Sequence, residues 1–364
     1  MSDSNLPLER LGWDAGWEET FAPYQAQGWF PARVVAQDKY RYLLLSSSGE
    51  LEGRLLGRFL RRGHSEAELP KVGDWVACRL TGQTGEPVVI QAVLPRRTRL
   101  ARKVPGRQAE EQVLVANVDL AFLVQALDST FSCRLLERML LMTLEGGIEP
   151  VVVLNKADLC TDSAKYLAEV HRRVGETPVV VTSARSGEGL AQMRHFLAPG
   201  KTVVFIGPSG VGKSSLINQL YGEEIQPTAE VRERDHKGRH TTTWREMILL
   251  PDGALVIDTP GMREFHLWMA GEGLREAFPD IELLALRCRF RDCRHETEPG
   301  CAVRGAVDSG QLDPDRLASY QKLRNELEYL HRVCHWQRPP RRKDRPFWRA
   351  GSRLMEEETG PKEV

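Results

Sequence analysis

Gly207-Pro208-Ser209-Gly210-Val211-Gly212-Lys213-Ser214 fits the pattern G-x-x-x-x-G-K-S, and its surroundings give the match meaning. An apolar run, Thr202–Ile206, comes immediately before it, and a helix-like stretch, Lys213–Leu220, opens within it. In that strand–loop–helix setting the glycines let the backbone wrap a phosphate chain with its N–H groups turned inward. A helix start there already favours anions. Lys213 is placed to reach the β- and γ-phosphates, Ser214 to ligate Mg²⁺, and Ser215 to complete the run. The loop alone does not distinguish ATP from GTP.

Outward from the loop, apolar strands alternate with helices. Strand candidates are Val118–Gln125, Pro150–Leu154, Pro178–Thr182, Thr202–Ile206, Met247–Leu250 and Ala254–Ile257. Helix-like stretches lie at Ser132–Glu145, Ser163–Val174, Gly189–Leu197 and Lys213–Leu220. The alternation predicts a parallel sheet covered on both faces.

Asn155-Lys156-Ala157-Asp158 directly follows the strand Val151–Leu154, where α/β sheets bind ligands. The Asp158 carboxylate can accept from both guanine N1–H and the exocyclic amine, a donor pair that adenine lacks. Asn155 can contact the N7 side of the base, and the Lys156 stem can lie over the ring. Thr182-Ser183-Ala184 ends another strand, where the Ala184 N–H can donate to the guanine carbonyl, with Ser183 beside it. Together these point to GTP or GDP. An ATP-using enzyme is the alternative, and the GTP preference of Asp158→Asn separates the two.

Asp258-Thr259-Pro260-Gly261 follows the strand Ala254–Ile257; Asp258 suits Mg²⁺ held through water, and the Gly261 N–H suits a γ-phosphate sensor. Between the two phosphate motifs lies Lys237-Gly238-Arg239-His240-Thr241-Thr242-Thr243. One of its threonines suits Mg²⁺, and Thr242 is the one assigned here, although spacing does not separate it from its neighbours. Many GTPases orient water with a glutamine after the second-switch glycine. Here that position is Met262, which predicts slow intrinsic turnover. His240 is the candidate for positioning water; the competing reading is a surface histidine. The motif order, base before phosphates before switches, is that of a circular permutation, which closely spaced domain termini tolerate.

The rest of the chain bounds the class. At 364 residues it suits two or three domains. Hydrophobic residues at 41% and charged residues at 27% exclude global disorder. Lys+Arg and Asp+Glu are both 50, so only the distribution of charge is informative. Leu94 to Arg107 holds six basic residues (Arg96, Arg97, Arg99, Arg102, Lys103, Arg107) and no acid, and Arg338 to Arg353 holds seven against Asp344 alone. Both segments fit a phosphate backbone. No run approaches the ~18 apolar residues of a membrane helix, and the acidic N-terminus does not read as a signal peptide. Seven cysteines, with Cys78, Cys133, Cys160 and Cys334 scattered singly, argue for a reducing compartment, the cytoplasm.

Between Gly28 and Leu94, short β-rich runs (Phe30–Val35, Tyr40–Leu45, Asp74–Leu80, Pro87–Val93) separated by turns predict a small barrel of the oligonucleotide-binding (OB-fold) type. Trp29, Phe30, Tyr40, Tyr42 and Trp75 could stack bases there, although aromatics at strand spacing are usually core. Cys288-x4-Cys293-x-His295-x5-Cys301 supplies three thiolates and an imidazole, a closed set for one structural zinc; Cys334 and His335 are a spare pair. A helix follows, with Asp313 at the N-cap, Pro314 in the first turn, and Leu317, Tyr320, Leu323, Leu327, Leu330 and Cys334 at spacings of three and four. The expected division is an irregular extension (1–27), an OB-like barrel (28–95), a basic linker or exposed arm (96–112), a circularly permuted P-loop GTPase domain (113–278), an α-rich zinc-binding domain (279–337) and a basic tail (338–364).

NKAD, GPSGVGKS, GRHTTT and DTPG in that order, behind a barrel and ahead of a Cys/His cluster, resemble the circularly permuted, small-ribosomal-subunit-dependent GTPase family RsgA, also called YjeQ, over roughly residues 28–335. The resemblance implies the three modules above, and slow GTP hydrolysis stimulated by the small subunit during its late maturation on ribosomal RNA. It favours the first zinc set. The expected partners are GTP/GDP, the small subunit with its rRNA, and other assembly factors, with no membrane and a monomeric chain. Two other classes stay open: a GTP-dependent rRNA-binding switch whose turnover is incidental, and a regulatory GTPase with a protein partner.

Overall fold

The computed structural model describes residues 6–38, 40–60, 66–82, 86–104, 110–225, 246–258, 265, 267–268 and 273–337. His240, Thr241, Thr242, Thr243, Gly261, Met262 and the basic tail lie outside the described residues.

The first departure from expectation is at the N-terminus. Residues 1–27 lack an obvious period, yet they carry a helix, α1 (Ala15–Gln25), capped by the Asp14 side chain, which accepts from the Trp17 N–H at 2.9 Å. Trp13, Trp17 and Phe21 are buried, and Trp13 meets Trp75 edge-on at 4.6 Å. The partner of this helix lies some fifty residues downstream, so no local pattern announces it.

The barrel comprises β1 (Phe30–Asp38), β2 (Arg41–Ser46), β3 (Gly49–Leu55), β4 (Trp75–Arg79) and β5 (Val88–Val93). The pairings run β1-β2-β3-β5-β4 and back to β1, which closes the ring and leaves no free edge. Ala32, Val34, Tyr42, Leu44, Val76, Cys78 and Ile90 fill it. Tyr42, inside the barrel, and Trp75, fully buried against Trp13 and Trp17, are core and cannot stack a base. Tyr40 is exposed and Trp29 stacks on Tyr24 at 5.9 Å.

As far as Val104 the basic stretch is not an exposed arm, and Arg107 lies outside the described residues. Residues Arg99–Lys103 form β6, paired antiparallel with β7 (Glu111–Ala116), with Leu100 fully buried. Arg96 grips buried Asp74 at 2.8 and 2.7 Å, Arg99 meets Glu111 at 2.7 Å, and Arg102 meets Gln112 at 3.0 Å. Arg97 bonds Asp14 at 2.5 and 2.6 Å while stacking 4.1 Å from the Trp17 ring. The Arg97 guanidinium holds the Asp14 carboxyl down at about 2. Asp74, Asp14 and Glu111 pair with Arg96, Arg97 and Arg99, and no acid within the run itself announces them.

The central sheet is β8 (Leu120–Ala126), β9 (Glu149–Asn155), β10 (Val179–Val181), β11 (Thr202–Ile206), β12 (Glu246–Leu249) and β13 (Leu255–Asp258), in the order β10-β9-β8-β11-β13-β12. All neighbours are parallel except β12, which also pairs with β1 through Ala36 and Glu246 and so joins the barrel to the sheet. The faces are covered by α2 (Cys133–Glu145), α3 (Ser163–Val174), α4 (Leu190–Arg194) and α5 (Lys213–Tyr221). Buried Arg33 pins the modules together. It donates to the carbonyls of Leu11, Gly73 (3.3 Å) and Asn117 (2.9 Å) and to Thr202 Oγ1 (2.9 Å). Burial lowers its pKa to about 10, so it stays charged in its cage of oxygens.

The C-terminal module is α6 (Gly273–Ala277), α7 (Pro279–Ala285), α8 (Ala302–Asp308) and α9 (Pro314–Gln337). The last begins at the expected Pro314 and buries the expected stripe of Leu317, Tyr320, Leu323, Leu327 and Leu330. It docks on α2 and α3 through a buried ionic cluster. Glu137 Oε1 accepts from Arg316 at 2.9 Å and Arg173 at 3.3 Å; Arg316 also grips Asp280, and Arg173 also grips Glu169 and Asp313.

Candidate nucleotide site and metal centre

The phosphate loop turns off the end of β11 into α5. Two of its glycines are sterically required. A Cβ on Gly207 would sit 2.3 Å from the Val124 carbonyl oxygen, and one on Gly212, whose φ is +96°, would sit 2.2 Å from Asn155 Nδ2. The loop is thus pressed against β8 on one side and the base-reading loop on the other. Lys213 Nζ lies across its mouth and donates to the Gly207 and Pro208 carbonyls, both at 2.8 Å.

Asn155 ties the two loops. It is buried at the end of β9, with Nδ2 donating to the Val211 carbonyl at 2.8 Å. Its Oδ1 accepts from Thr182 Oγ1 at 3.2 Å and from the Ala184 N–H at 3.1 Å. Both ends of the carboxamide are therefore engaged within the protein, and the Ala184 N–H that guanine could use points at Asn155. Thr182, not among the expected site residues, completes this clasp. Ser183 Oγ donates to Asp158 Oδ1 at 2.6 Å and accepts from the Ser186 N–H at 3.1 Å, which fixes the carboxylate beside the loop. Lys156 takes a left-handed backbone (φ +64°), and its ammonium meets Asp128 Oδ2 at 3.0 Å. The Thr130 hydroxyl and the Lys156 ammonium hold Asp128 below the usual carboxylate range despite partial burial.

Four expected groups converge here: Asn155–Asp158, Ser183–Ala184, the phosphate loop with Ser214 and Ser215 at the head of α5, and Asp258 at the end of β13, five per cent exposed. The switch residues His240, Thr242 and Gly261 lie outside the described residues.

The second site is the cluster Cys288, Cys293, His295 and Cys301, whose ligand atoms all lie within 4.8 Å of one another. His295 Nδ1 is 3.7 Å from Cys288 Sγ and 3.4 Å from Cys301 Sγ, and the two sulfurs are 3.9 Å apart. A tetrahedral ion with ~2.3 Å bonds to sulfur spaces its sulfurs about 3.8 Å apart, so the four residues fit a metal ion. Burial lowers the His295 pKa and favours the neutral ring that a metal needs. Cys301 also caps α8, accepting from the Arg304 N–H at 3.4 Å, which suits a thiolate. The side chains of Cys334 and His335 are outside the description. Among the described residues no helix is long and apolar enough to cross a membrane.

Comparison with known proteins agrees with this geometry. A family model described as RsgA GTPase matches residues 93–268. The small ribosomal subunit biogenesis GTPase RsgA of Opitutus terrae is 47% identical over 335 residues, covering 90% of this chain and 91% of the relative. The protein of the same name from Syntrophotalea carbinolica is 43% identical, covering 88% and 90%. Among solved structures, YjeQ from Thermotoga maritima superposes with a TM-score of 0.61 at 28% identity, over 82% of this chain and 99% of that one. YloQ, a circularly permuted GTPase, superposes with a TM-score of 0.57 at 26% identity, over 85% and 97%.

Proposed function

This chain belongs to the RsgA GTPase family, and on that premise we propose that it hydrolyses GTP as an assembly factor of the small ribosomal subunit, with hydrolysis coupled to release. The observation that supports this most directly is the Asn155 clasp, which bonds a guanine-reading loop to a phosphate loop. The relatives named for small-subunit biogenesis supply the partner.

Within this reading, residues 155–158, 183–184 and 207–215 with Gly261 bind GTP. Ser214, Thr242 and Asp258 hold Mg²⁺, which neutralises phosphate charge when bound, and His240 positions the water that Met262 cannot. The Cys₃His cluster holds one structural zinc. The domain division given by the sequence, a monomeric chain, a cytoplasmic location and contacts with other assembly factors complete the proposal.

The reading of the RNA contact from the sequence uses both basic segments and the arginines interleaved among the metal ligands, and we weight the last group most. Arg96, Arg97 and Arg99 are paired internally, so Arg287, Arg289 and Arg291, exposed around the metal cluster, carry more of it, with Arg294 beside them paired to Glu328 at 3.6 Å. The nucleotide state has a physical route to them. Arg138 on α2 donates to the Phe265 carbonyl at 2.9 Å, seven residues past Asp258, and to both oxygens of Glu326 on α9 at 2.9 and 2.5 Å. The chain leaving the second switch and the C-terminal helix share this clamp. A GTP-dependent rRNA-binding switch with incidental turnover remains the second reading, favoured by Met262 in the glutamine position.

Co-sedimentation with purified small subunits tests the coupling. Binding should be tighter with a non-hydrolysable GTP analogue than with GDP, and should weaken steeply as salt rises. Equal binding in both nucleotide states contradicts it.

Metal removal has a defined consequence. Chelation, or Cys288→Ser, should unfold the loop from 288 to 301 and free α8 from its cap, since the binding free energy of a structural metal is folding free energy. The loss reads out as protease sensitivity between Arg287 and Arg304, with guanine-nucleotide affinity unchanged. An unaltered cleavage pattern would refute a structural metal.

A further inference from the structure

We infer that Asp128 is a positioning residue for nucleotide binding: it holds the Lys156 side chain in the orientation that lets its stem cover the guanine ring. The inference rests on the guanine-nucleotide reading above and extends it to a residue outside every recognised motif.

The geometry is specific. Lys156 follows buried Asn155 and has a left-handed backbone, so its side chain leaves the loop in a direction that ordinary backbone does not offer. The side chain ends on Asp128 Oδ2 at 3.0 Å, with the lysine 30% and the aspartate 26% exposed. A long lysine in that position would otherwise sample many rotamers, and ordering it on binding would oppose affinity.

Asp128 is itself held on its other oxygen. Oδ1 accepts from the Thr130 N–H at 2.9 Å and from the Thr130 hydroxyl at 2.5 Å, which directs Oδ2 toward the lysine. The loop around it is also anchored. The Leu127 N–H donates to the Asn155 carbonyl at 2.8 Å, and Gln125 brackets Ser132 with bonds of 2.9 and 3.2 Å. Phe131 meets Tyr166 on α3 edge-on at 5.0 Å. The carboxylate is therefore a fixed post, its neighbour Leu127 bonded to the first residue of the base-reading loop, and the lysine is tethered to it.

Among the described residues Asp128 bonds to Thr130 and Lys156 and to none of the phosphate loop, so its influence should fall on affinity for GDP and GTP alike. Asp128→Asn keeps the Oδ1 acceptor that Thr130 uses and replaces only the atom that faces Lys156. Fluorescent GDP and GTP titrations of the full chain should give a Kd raised about fivefold for both nucleotides, the scale of ordering one long side chain. KM for GTP should rise with it while saturating turnover holds.

Lys156→Ala should weaken binding at least as much, and the Asp128→Asn, Lys156→Ala double variant should be no weaker than Lys156→Ala alone. That non-additivity separates positioning from simple loop damage. A wild-type Kd for Asp128→Asn would overturn the inference. So would an equal further loss in the Lys156→Ala background, because Asp128 would then be acting through something other than the lysine. A wild-type chain that binds neither nucleotide would overturn the guanine reading itself, and this inference with it.

Discussion

Lys213→Ala should lower GTP turnover by a factor of about 10² to 10³, the usual effect of losing one charged donor aimed at transition-state charge. Lys213 Nζ now spans the Gly207 and Pro208 carbonyls at 2.8 Å each, which places the ammonium over the loop proposed to take the phosphates. Bound phosphate oxygens take over from those carbonyls, so the cost of desolvating the ammonium is met before substrate arrives. Alanine leaves the backbone cradle intact, since the close approaches at Gly207 and Gly212 do not involve this side chain. Thermal unfolding should therefore shift little while steady-state turnover collapses. Lys213→Arg should also be poor, because a planar fork does not replace a compact ammonium in a tight loop. Near-normal turnover by Lys213→Ala would mean that the loop is not the phosphate site.

The second large effect is on stability. Glu137 is fully buried on α2, and its Oε1 is shared by Arg173 of α3 and Arg316 of α9. Arg316 is further committed to Asp280 at 2.8 Å through two bonds and to the face of Phe278 at 4.4 Å, so it cannot retreat to water. Glu137→Ala removes the charge that two buried guanidinia share. Breaking such a cluster by deleting one partner typically costs about 3–5 kcal/mol. Denaturant unfolding should show that loss, and α9 should become protease-sensitive before the central sheet does. Glu137→Gln keeps the Oε1 acceptor and the shape, so it should cost clearly less. Equal stability for Glu137→Ala and the wild type would show that the C-terminal module docks by its apolar stripe alone.

The central sheet was legible because its inner strands β8, β9, β11 and β13 are buried on both faces and read as apolar runs, with motif loops at the strand ends. Thr202–Ile206 has the same limits in sequence and structure, and Asp313-Pro314 with the apolar spacing behind it signals the last helix. The Cys₃His cluster is equally local, four ligands within fourteen residues. What sequence missed is non-local. The aromatic face of α1 has meaning only against Trp75, and the basic run only against Asp14, Asp74 and Glu111. Glu137 sits among apolar residues on α2, and nothing nearby reveals that Arg316, 179 residues away, will cover it. Asn155 was read as a contact to the base, and the structure adds bonds from its carboxamide to Val211, Thr182 and Ala184. Its role as a clasp needs the third dimension.

The most direct test of the whole account is GTP turnover by the purified chain with and without small ribosomal subunits, using large subunits as the control. The account expects slow turnover alone and a large rise that small subunits produce and large subunits do not, because Met262 stands where an orienting glutamine would be and a partner must complete the site. Turnover that stays at its basal rate with small subunits, or that rises equally with large ones, would contradict it.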